Sequence, residues 1–351
     1  MLDPVSKTLL ATLLATGAIV AASSSGNVFP QLPIVLPTPL VCIEDGCLIG
    51  TTRDALEGSQ FDAFFGVPYA KPPVGQLRFR DPVEVEPWDG NYDASFERGK
   101  CVQKSDARPM SLVEGGEDCL YLNLYRPQNV REKLPVIFYI HGGSYASGSA
   151  SFAEYGPERL MDTGKVIVVV IQYRLGVFGF LSTDDSSSPG NYGLKDQSMA
   201  LRWVQRNIER FGGDPNRVTL VGQSAGGAAV QMHMMSRLSQ VAERHLTNGS
   251  FLNEEPRALW AAGKYLQVPW ITGTVPNDGA ADSLGIVTNA TLLYELNEKS
   301  RAYIPRLAGG VDNADTTPML KDRFFPDGTD ERWLTTHNFL NLQEVSKGVL
   351  D

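Results

Sequence analysis

The chain has 351 residues, of which 42% are hydrophobic, and this length builds one large globular domain or two ordinary ones. Its 40 acidic and 31 basic side chains give a net charge of −9. The sequence contains no run of Lys and Arg that could follow a phosphate backbone, so we expect no nucleic acid among its partners.

The N-terminus has the features of a secretory signal peptide. An apolar stretch over residues 8–22 is followed by small residues suited to signal-peptidase cleavage. It is shorter than the roughly 18 to 20 residues that span a bilayer, which makes a membrane anchor the weaker alternative. We therefore expect a signal peptide over residues 1–22 and a secreted, extracellular chain over residues 23–351 with no transmembrane segment. Secretion makes two N-x-[ST] sequons candidate glycosylation sites, at Asn248 and Asn289.

The four cysteines fit an oxidising compartment, in which disulfides persist. Cys42 and Cys47 are close enough in sequence for a local disulfide, and a bond between Cys101 and Cys119 would close a surface loop. The alternatives are four free thiols or a zinc site. Because neither a C-x-x-C pair nor a suitable His spacing is present, we expect no metal ion.

The next part of the chain has the pattern of an α/β domain. Residues 41–125 contain short β-prone runs separated by Gly, Pro and Asp, which predicts an N-terminal β-rich subregion. Residues 136–140 (VIFYI) and 166–171 (VIVVVI) are typical of strands covered on both faces. Apolar residues recur at helical spacing over residues 196–211, two glycines follow, and residues 218–221 form the next buried strand. This order of strand, helix and strand predicts an α/β domain with a parallel sheet.

A candidate nucleophile follows the last of these strands. The stretch VTLVGQSAGG places Ser224 in a G-x-S-x-G frame, between a buried strand and the helix-compatible segment AAVQMHMM. In this context the motif predicts a nucleophile elbow, in which small flanking residues allow a strained turn to present the serine hydroxyl above the sheet. The alternative is an ordinary Gly-rich turn.

A second loop, His141-Gly142-Gly143-Ser144, follows the strand VIFYI and suits an oxyanion hole. The backbone N–H groups of Gly143 and Ser144 would supply two donors, and that of Ala225 a third. The alternatives are a simple tight turn, or a general-base role for His141, although in such loops the backbone does the chemistry.

These motifs resemble those of the type-B carboxylesterases, a family that includes insect carboxylesterases, juvenile hormone esterases, cholinesterases and the non-catalytic neuroligins. The resemblance runs over FGVPYAKPPVGQLRF, EDCLYLNLYRP, the HGG loop, YRLGVFGFL, GNYGLKDQSMALRWVQRNIERFGGDPNRVTLVGQSAGG and VPWITGTVPNDG, and extends to about Gly310. It implies an α/β-hydrolase fold with a mostly parallel central sheet and flanking helices. It also implies a secreted or membrane-attached serine esterase that needs no cofactor.

The resemblance assigns roles to individual residues. Ser224 matches the family's nucleophile, and Asp278, before a Gly, matches the acidic member of the triad. The family more often has Glu there, and the alternative for Asp278 is a solvated Asn-Asp-Gly turn. Cys101 and Cys119 fall where the family forms its first disulfide loop.

The resemblance also narrows the substrate. Cholinesterases bind a quaternary ammonium with a Trp in the first disulfide loop and a Glu before the nucleophile. Here residues 102–118 contain no Trp, and Gln223 precedes Ser224. We therefore expect a small uncharged carboxylic ester as the partner, with the oligomeric state left open.

The family pattern breaks at two places. The segment between Ser224 and Asp278 is about half as long as in the family. The resemblance therefore implies an internal deletion after about Gln240, which includes the strand that follows the nucleophile helix. The sequence also stops at Asp351 before the family's triad histidine. The histidines at the remaining positions read as surface or packing residues: His233, His245 and His337.

Two functional hypotheses follow from these observations. In the first, the chain is a fragment, splice form or gene model of a carboxylic ester hydrolase, incomplete relative to the family and impaired because it lacks the triad histidine. In the second, it is a non-catalytic carboxylesterase-like protein that binds ligands or adhesion partners. The intact Ser224 and HGG loop favour the first.

Overall fold

The computed structural model of the chain describes residues 38–104, 112–239 and 251–273. The chain divides into two units, Met1–Leu266 and Gln267–Asp351, and all elements named below belong to the first. The expected signal peptide and several residues singled out by the sequence lie outside the described residues: His245, Asn248, Asp278, Asn289 and His337.

The described strands form a central sheet of six strands and two smaller sheets of three and two strands. In chain order they are β1 (Leu40–Ile43), β2 (Gly46–Ile49), β3 (Thr51–Asp54), β4 (Gln60–Pro68), β5 (Asn91–Asp93), β6 (Gln103–Lys104), β7 (Val113–Glu114), β8 (Tyr121–Pro127), β9 (Leu134–Ile140), β10 (Ile167–Ile171) and β11 (Gly213–Gly222).

The helices are concentrated after β9, where the sequence predicted a change of pattern. They are α1 (Phe152–Tyr155), α2 (Glu158–Met161), α3 (Gly176–Phe180), α4 (Tyr192–Asn207), α5 (Ala225–Met235) and α6 (Pro256–Ala261), and short 3₁₀ turns lie at Gly75–Leu77, Ile208–Phe211 and Arg237–Ser239. No helix among the described residues is long and apolar enough to cross a membrane.

The central sheet has the described strand order β11-β9-β10-β8-β4-β3. Strands β11, β9 and β10 run parallel to one another, whereas the pairs β10–β8, β8–β4 and β4–β3 are antiparallel. The strands of the β-rich N-terminal part therefore extend the sheet in antiparallel fashion, and the strands predicted from the buried β-branched runs form its parallel half. The mixed sheet with helices is the expected α/β architecture.

Strand β10 shows why its sequence is uninterrupted by polar residues. All five of its side chains (IVVVI) are buried. Alternate residues enter two separate core clusters, one containing Ile167, Val169 and Ile171 and the other Val168 and Val170. A strand covered on both faces has no solvent-facing positions, which removes the alternation of apolar and polar residues.

Strand β11 is covered less well. It pairs with β9, and it is the terminal strand of the described sheet. Its burial pattern contains one buried residue in ten, and the side chain of Val221 is 37% exposed. The apolar run that predicted a buried strand thus lies at an edge among the described residues.

Helix α4 lies between β10 and β11 in the chain. It begins at Tyr192, four residues before the predicted start, after Asn191 in the left-handed conformation with φ of 56°. It ends through the 3₁₀ turn at Ile208–Phe211 and Gly212, which has φ of 84° and serves as the predicted stop.

Both cysteine pairs are disulfide-bonded, Cys42 to Cys47 and Cys101 to Cys119. Cys42 and Cys47 face each other across the β1–β2 hairpin. Cys101 and Cys119 are buried in the main core cluster.

Candidate active site

Ser224 lies in a sharp turn between β11 and α5. It has φ of 55° and ψ of −124°, and it caps the N-terminus of α5 without a hydrogen bond from its side chain. A positive φ in a residue with a Cβ is strained, and such strain persists only where the surrounding structure imposes it. This is the conformation predicted for a nucleophile elbow, and the Ser224 side chain is exposed.

The glycines of the motif are required by close packing. A Cβ on Gly222 would collide with the backbone of Gly226, so the turn closes on itself at this point. A Cβ on Gly226 would collide with the carbonyl oxygen of Ile140, the last residue of β9. The first turn of α5 therefore packs directly against the strand that leads into the HGG loop.

The HGG loop lies beside the elbow. Gly222 and Ile140 are register partners at the carboxyl ends of β11 and β9, so the residues after them leave the sheet at the same edge. A Cβ placed on Gly142 would lie 2.6 Å from Gln223 Oε1 and 3.1 Å from Ser224 Cβ. The structure thus brings together the two loops that the sequence placed at one site.

Three backbone N–H groups near this point have no acceptor among the residues that the structure describes. Within the described part of the chain, the amides of Gly143, Ser144 and Ala225 donate no hydrogen bond. Ser144 and Tyr145 have φ of 54° and 58°, and Gly143 has φ of 106°. Amide donors left without a partner at one edge of a sheet can bind an oxygen that carries developing negative charge.

The loop is held by hydrogen bonds of its own. The Gly143 carbonyl oxygen accepts from the amides of Ala146 and Ser147, each at 2.9 Å. The Tyr173 hydroxyl donates to the His141 carbonyl oxygen at 2.9 Å, and the rings of Tyr173 and His141 stack at a centroid distance of 4.4 Å.

His141 is fully buried and is poorly placed to act as a base. Burial lowers its pKa to about 4, because the charged imidazolium loses its hydration. Its Nδ1 contacts the Gly142 carbonyl oxygen at 2.8 Å, while Nε2 is buried without a partner in the described residues. This environment favours the neutral ring in a packing role, as expected for the loop.

His233 is also buried, and both of its ring nitrogens have hydrogen-bond partners other than Ser224. Its Nδ1 lies 2.6 Å from Ser239 Oγ and its Nε2 lies 2.8 Å from Gln197 Oε1. Burial lowers its pKa to about 3. Because it follows Ser224 by nine residues of helix at about 1.5 Å each, it is about 13 Å along the axis from the elbow. Neither described histidine therefore assists Ser224.

The remaining predicted site residues lie outside the residues that the structure describes. Asp278 lies there, with His245, His337 and the two sequon asparagines. Among the residues that are described, no three His, Cys, Asp or Glu side chains converge as they would around a metal ion.

Two features of the site were missed by sequence reasoning. The buried pair Arg174–Asp196, at 2.6 Å, joins the segment after β10 to α4. The buried side chain of Gln103 bonds the backbone of Gly148, beyond the HGG loop. The YRLG and LKDQ motifs contain the ion pair, but the only signal for Gln103 is its position two residues after Cys101.

The sequence of this chain is similar to those of proteins in one known family. A family model described as "Carboxylesterase family" matches residues 37–247. A juvenile hormone esterase of Tribolium castaneum is 48% identical over 58% of this chain and 34% of its own length. A carboxylic ester hydrolase of Bombus ignitus is 43% identical over 80% of this chain and 63% of its own length.

A solved structure supports the same grouping. The crystal structure of juvenile hormone esterase from Manduca sexta, with OTFP covalently attached, superposes with a TM-score of 0.69 at 26% identity, covering 88% of this chain and 73% of that one. The chain spans about a third of the length of the Tribolium relative and under two thirds of that of the Bombus relative.

Proposed function

Because this chain belongs to the carboxylesterase family, with the α/β-hydrolase fold, we propose that it is a serine-dependent carboxylic ester hydrolase with Ser224 as the nucleophile. One observation carries the proposal. Ser224 occupies a strained elbow beside the HGG loop, where the amides of Gly143, Ser144 and Ala225 have no acceptor within the described residues.

The proposed chemistry is acyl transfer. Ser224 Oγ forms a bond to the ester carbonyl carbon, the alcohol leaves with a proton, and water then releases the acid from the acylated serine. Negative charge builds on the carbonyl oxygen in both steps. Each fixed N–H that meets this oxygen contributes about 2.7 to 4 kcal/mol to the transition state, so the three amides are the main source of acceleration in the described site.

Removal of the Ser224 proton needs a base, and we expect the lack of one to limit the activity of the 351-residue chain. His141 and His233 are each buried in contacts that do not include Ser224. We assign the triad carboxylate to Asp278 by resemblance, and no residue of the sequence matches the family's triad histidine. A serine hydroxyl without a base is a weak nucleophile, so we expect the chain to acylate and turn over slowly.

The proposed substrate is a small uncharged carboxylic ester. The first disulfide loop lacks a Trp, and Gln223 contributes no negative charge beside the nucleophile, so a quaternary ammonium group would find neither of the contacts that bind it. The names of the similar proteins, juvenile hormone esterase and carboxylic ester hydrolase, agree with an ester as substrate.

We also propose that the protein is secreted. The signal-peptide pattern of residues 1–22 and two disulfides among the described residues support an oxidising compartment.

Hydrolysis of p-nitrophenyl acetate tests the proposal. Residues 23–351, the Ser224→Ala variant and a full-length relative would be compared in the first turnover and at steady state. We expect slow acetylation of Ser224, detected on its peptide by mass spectrometry and absent from the variant, with turnover far below that of the relative. A folded chain that is never acetylated at Ser224 would favour the non-catalytic binding function, and turnover equal to the relative's would overturn the assignment of a missing base.

A further inference from the structure

We propose that Gln103 is a positioning residue that fixes the oxyanion loop to the Cys101–Cys119 disulfide, an inference that rests on the proposed function of that loop. Gln103 lies in β6, outside the residues assigned to the chemistry, and its side chain is only 5% exposed. A buried amide side chain in a sequence-distant segment needs a structural reason, because an amide without partners would be costly to bury.

The side chain of Gln103 makes two hydrogen bonds with the backbone of one residue, Gly148, at the outgoing end of the loop. Its Nε2 donates to the Gly148 carbonyl oxygen at 2.8 Å, and its Oε1 accepts from the Gly148 amide at 2.9 Å. The second hydrogen of Nε2 is given to the Cys101 carbonyl oxygen at 3.1 Å. Both donor hydrogens are therefore used, and this pattern fixes which way the amide group points.

Gly148 transmits this restraint to the HGG segment. It has φ of 103°, and a Cβ on it would lie 2.5 Å from His141 Nδ1 and 2.6 Å from the Gly142 carbonyl oxygen. Gly148 therefore packs directly on the peptide that precedes Gly143. Between them, the bonds from Ala146 and Ser147 to the Gly143 carbonyl oxygen close the loop into a compact turn.

Each end of the loop consequently has its own anchor. The Tyr173 hydroxyl holds the incoming end through the His141 carbonyl oxygen, and the Gly176 amide holds the middle through the Tyr145 carbonyl oxygen at 2.7 Å. Gln103 holds the outgoing end and connects it to Cys101, whose disulfide to Cys119 is buried in the core. Loss of Gln103 would remove the hydrogen-bond partners of both backbone polar groups of Gly148, the N–H and the C=O.

Free movement of the Gly148 backbone would misplace the oxyanion donors. Amides that stabilise a developing charge must be aimed before the reaction begins, and a misplacement of about 1 Å costs on the order of 100-fold in rate. We therefore expect Gln103→Ala to slow the reaction of Ser224 by about 10- to 100-fold while the fold persists.

The test uses residues 23–351 and two measurements on each variant. The first is the rate at which a fluorophosphonate labels Ser224, with Ser224→Ala as the blank. The second is hydrogen exchange in peptides covering residues 141–150, with the buried strand peptide of residues 166–172 as the internal reference for folding. Gln205→Ala is the matched control, because Gln205 Nε2 also donates to a backbone carbonyl oxygen, that of Pro215 at 2.9 Å, at the opposite end of β11 from Ser224.

For Gln103→Ala we expect slower labelling and faster exchange over residues 141–150, with exchange over 166–172 unchanged and with Gln205→Ala like the parent. Unchanged labelling and exchange in a folded Gln103→Ala protein would overturn the proposal. Failure of the parent itself to label would contradict the proposed function instead. In that case the exchange data alone would test the positioning role. Faster exchange over residues 141–150 in Gln103→Ala than in the parent would support it, and equal exchange would refute it.

Gln103→Glu separates positioning from a general loss of packing. As a carboxylate, the new side chain accepts from the Gly148 amide but repels the carbonyl oxygens of Gly148 and Cys101. Once protonated, it can donate again, and burial raises its pKa above the ordinary value of about 4.3. The ratio of loop exchange in Gln103→Glu to that in the parent should therefore fall toward one as the pH is lowered to about 5. The same exchange ratio for Gln103→Ala should stay constant with pH. Exchange ratios that stay constant with pH for both variants would contradict the positioning role of Gln103.

Discussion

At the residue scale, two neighbouring glycines of the elbow differ in the space that surrounds them. A Cβ on Gly226 would collide with the Ile140 carbonyl oxygen and lie 2.9 Å from that of His141, whereas a Cβ on Gly227 would meet only the Gly222 carbonyl group, at 3.2 Å and beyond. Close approach of backbone to backbone explains why residue 226 is a glycine. Gly227 lies on a more open side of α5.

We predict that Gly226→Ala destabilises the fold by about 1 to 3 kcal/mol, because backbone cannot move aside as a side chain can. Gly227→Ala, the matched control, should change the free energy of unfolding by less than about 1 kcal/mol, since the gain in helix propensity offsets a tight contact. Urea unfolding of both variants measures the difference. Equal destabilisation would show that α5 does not pack on β9 as described.

The two buried histidines lead us to predict how the free energy of unfolding depends on pH. The folded-state pKa values of about 4 for His141 and about 3 for His233 lie below the value of about 6.5 for an unfolded histidine. Between pH 6 and 5 the unfolded state therefore binds protons that the folded state does not, so stability is lost as the pH falls.

Each of these histidines should contribute about 1.2 kcal/mol per pH unit to that slope, because an unfolded histidine is largely but not fully protonated over this range. His141→Phe keeps an aromatic ring against Tyr173 but cannot bind a proton, so it should reduce the slope of unfolding free energy between pH 6 and 5 by about this amount. Urea unfolding at several pH values measures it. A slope equal to the parent's would mean that His141 is already charged or solvated in the folded state.

At the element scale, β10 and the apolar VTLV part of β11 both contain β-branched residues but have different surroundings. Val169 in β10 is fully buried, whereas Val221 in β11 is 37% exposed at the end of the described sheet. Val169→Ala should therefore cost about 2 kcal/mol, and Val221→Ala less than about 1 kcal/mol. Denaturant unfolding compares the two, and equal costs would show that β11 is covered in solution.

The same contrast shows what sequence reasoning could and could not provide. The β-branched runs predicted β9, β10 and β11, and the motif context predicted the elbow and the loop beside it, because these signals are local. The edge position of β11 is not local, since it depends on which strand pairs beyond it. The bond between Gln103 and Gly148 joins residues 45 apart through a side chain, and no periodicity reports it.

The earlier start of α4 has a local cause of a different kind. Asn191 adopts the left-handed conformation, which Asn tolerates better than most residues, and the helix begins immediately after it. The apolar spacing used for the prediction starts only where one face of the helix meets the core, whereas nearly all of the first turn is buried. Helical periodicity is weak when every face is covered.

At the scale of the whole molecule, the two disulfides restrain the unfolded chain to different extents. Cys101 and Cys119 are separated by 18 positions and Cys42 and Cys47 by 5. In the loop-entropy model, removing the first bond costs about 3 kcal/mol and removing the second about 2 kcal/mol. The paired variants Cys101→Ala/Cys119→Ala and Cys42→Ala/Cys47→Ala serve as controls for each other in urea unfolding, and a reversed order of stabilities would contradict the prediction.

We propose that Ser224 and the HGG loop form one acyl-transfer site, and a crystal structure of the chain with Ser224 phosphonylated would test this proposal. We expect the phosphonyl oxygen to lie about 2.7 to 3.1 Å from the amide nitrogens of Gly143, Ser144 and Ala225. An adduct on Ser224 whose oxygen points to solvent, with these three amides bonded elsewhere, would contradict it.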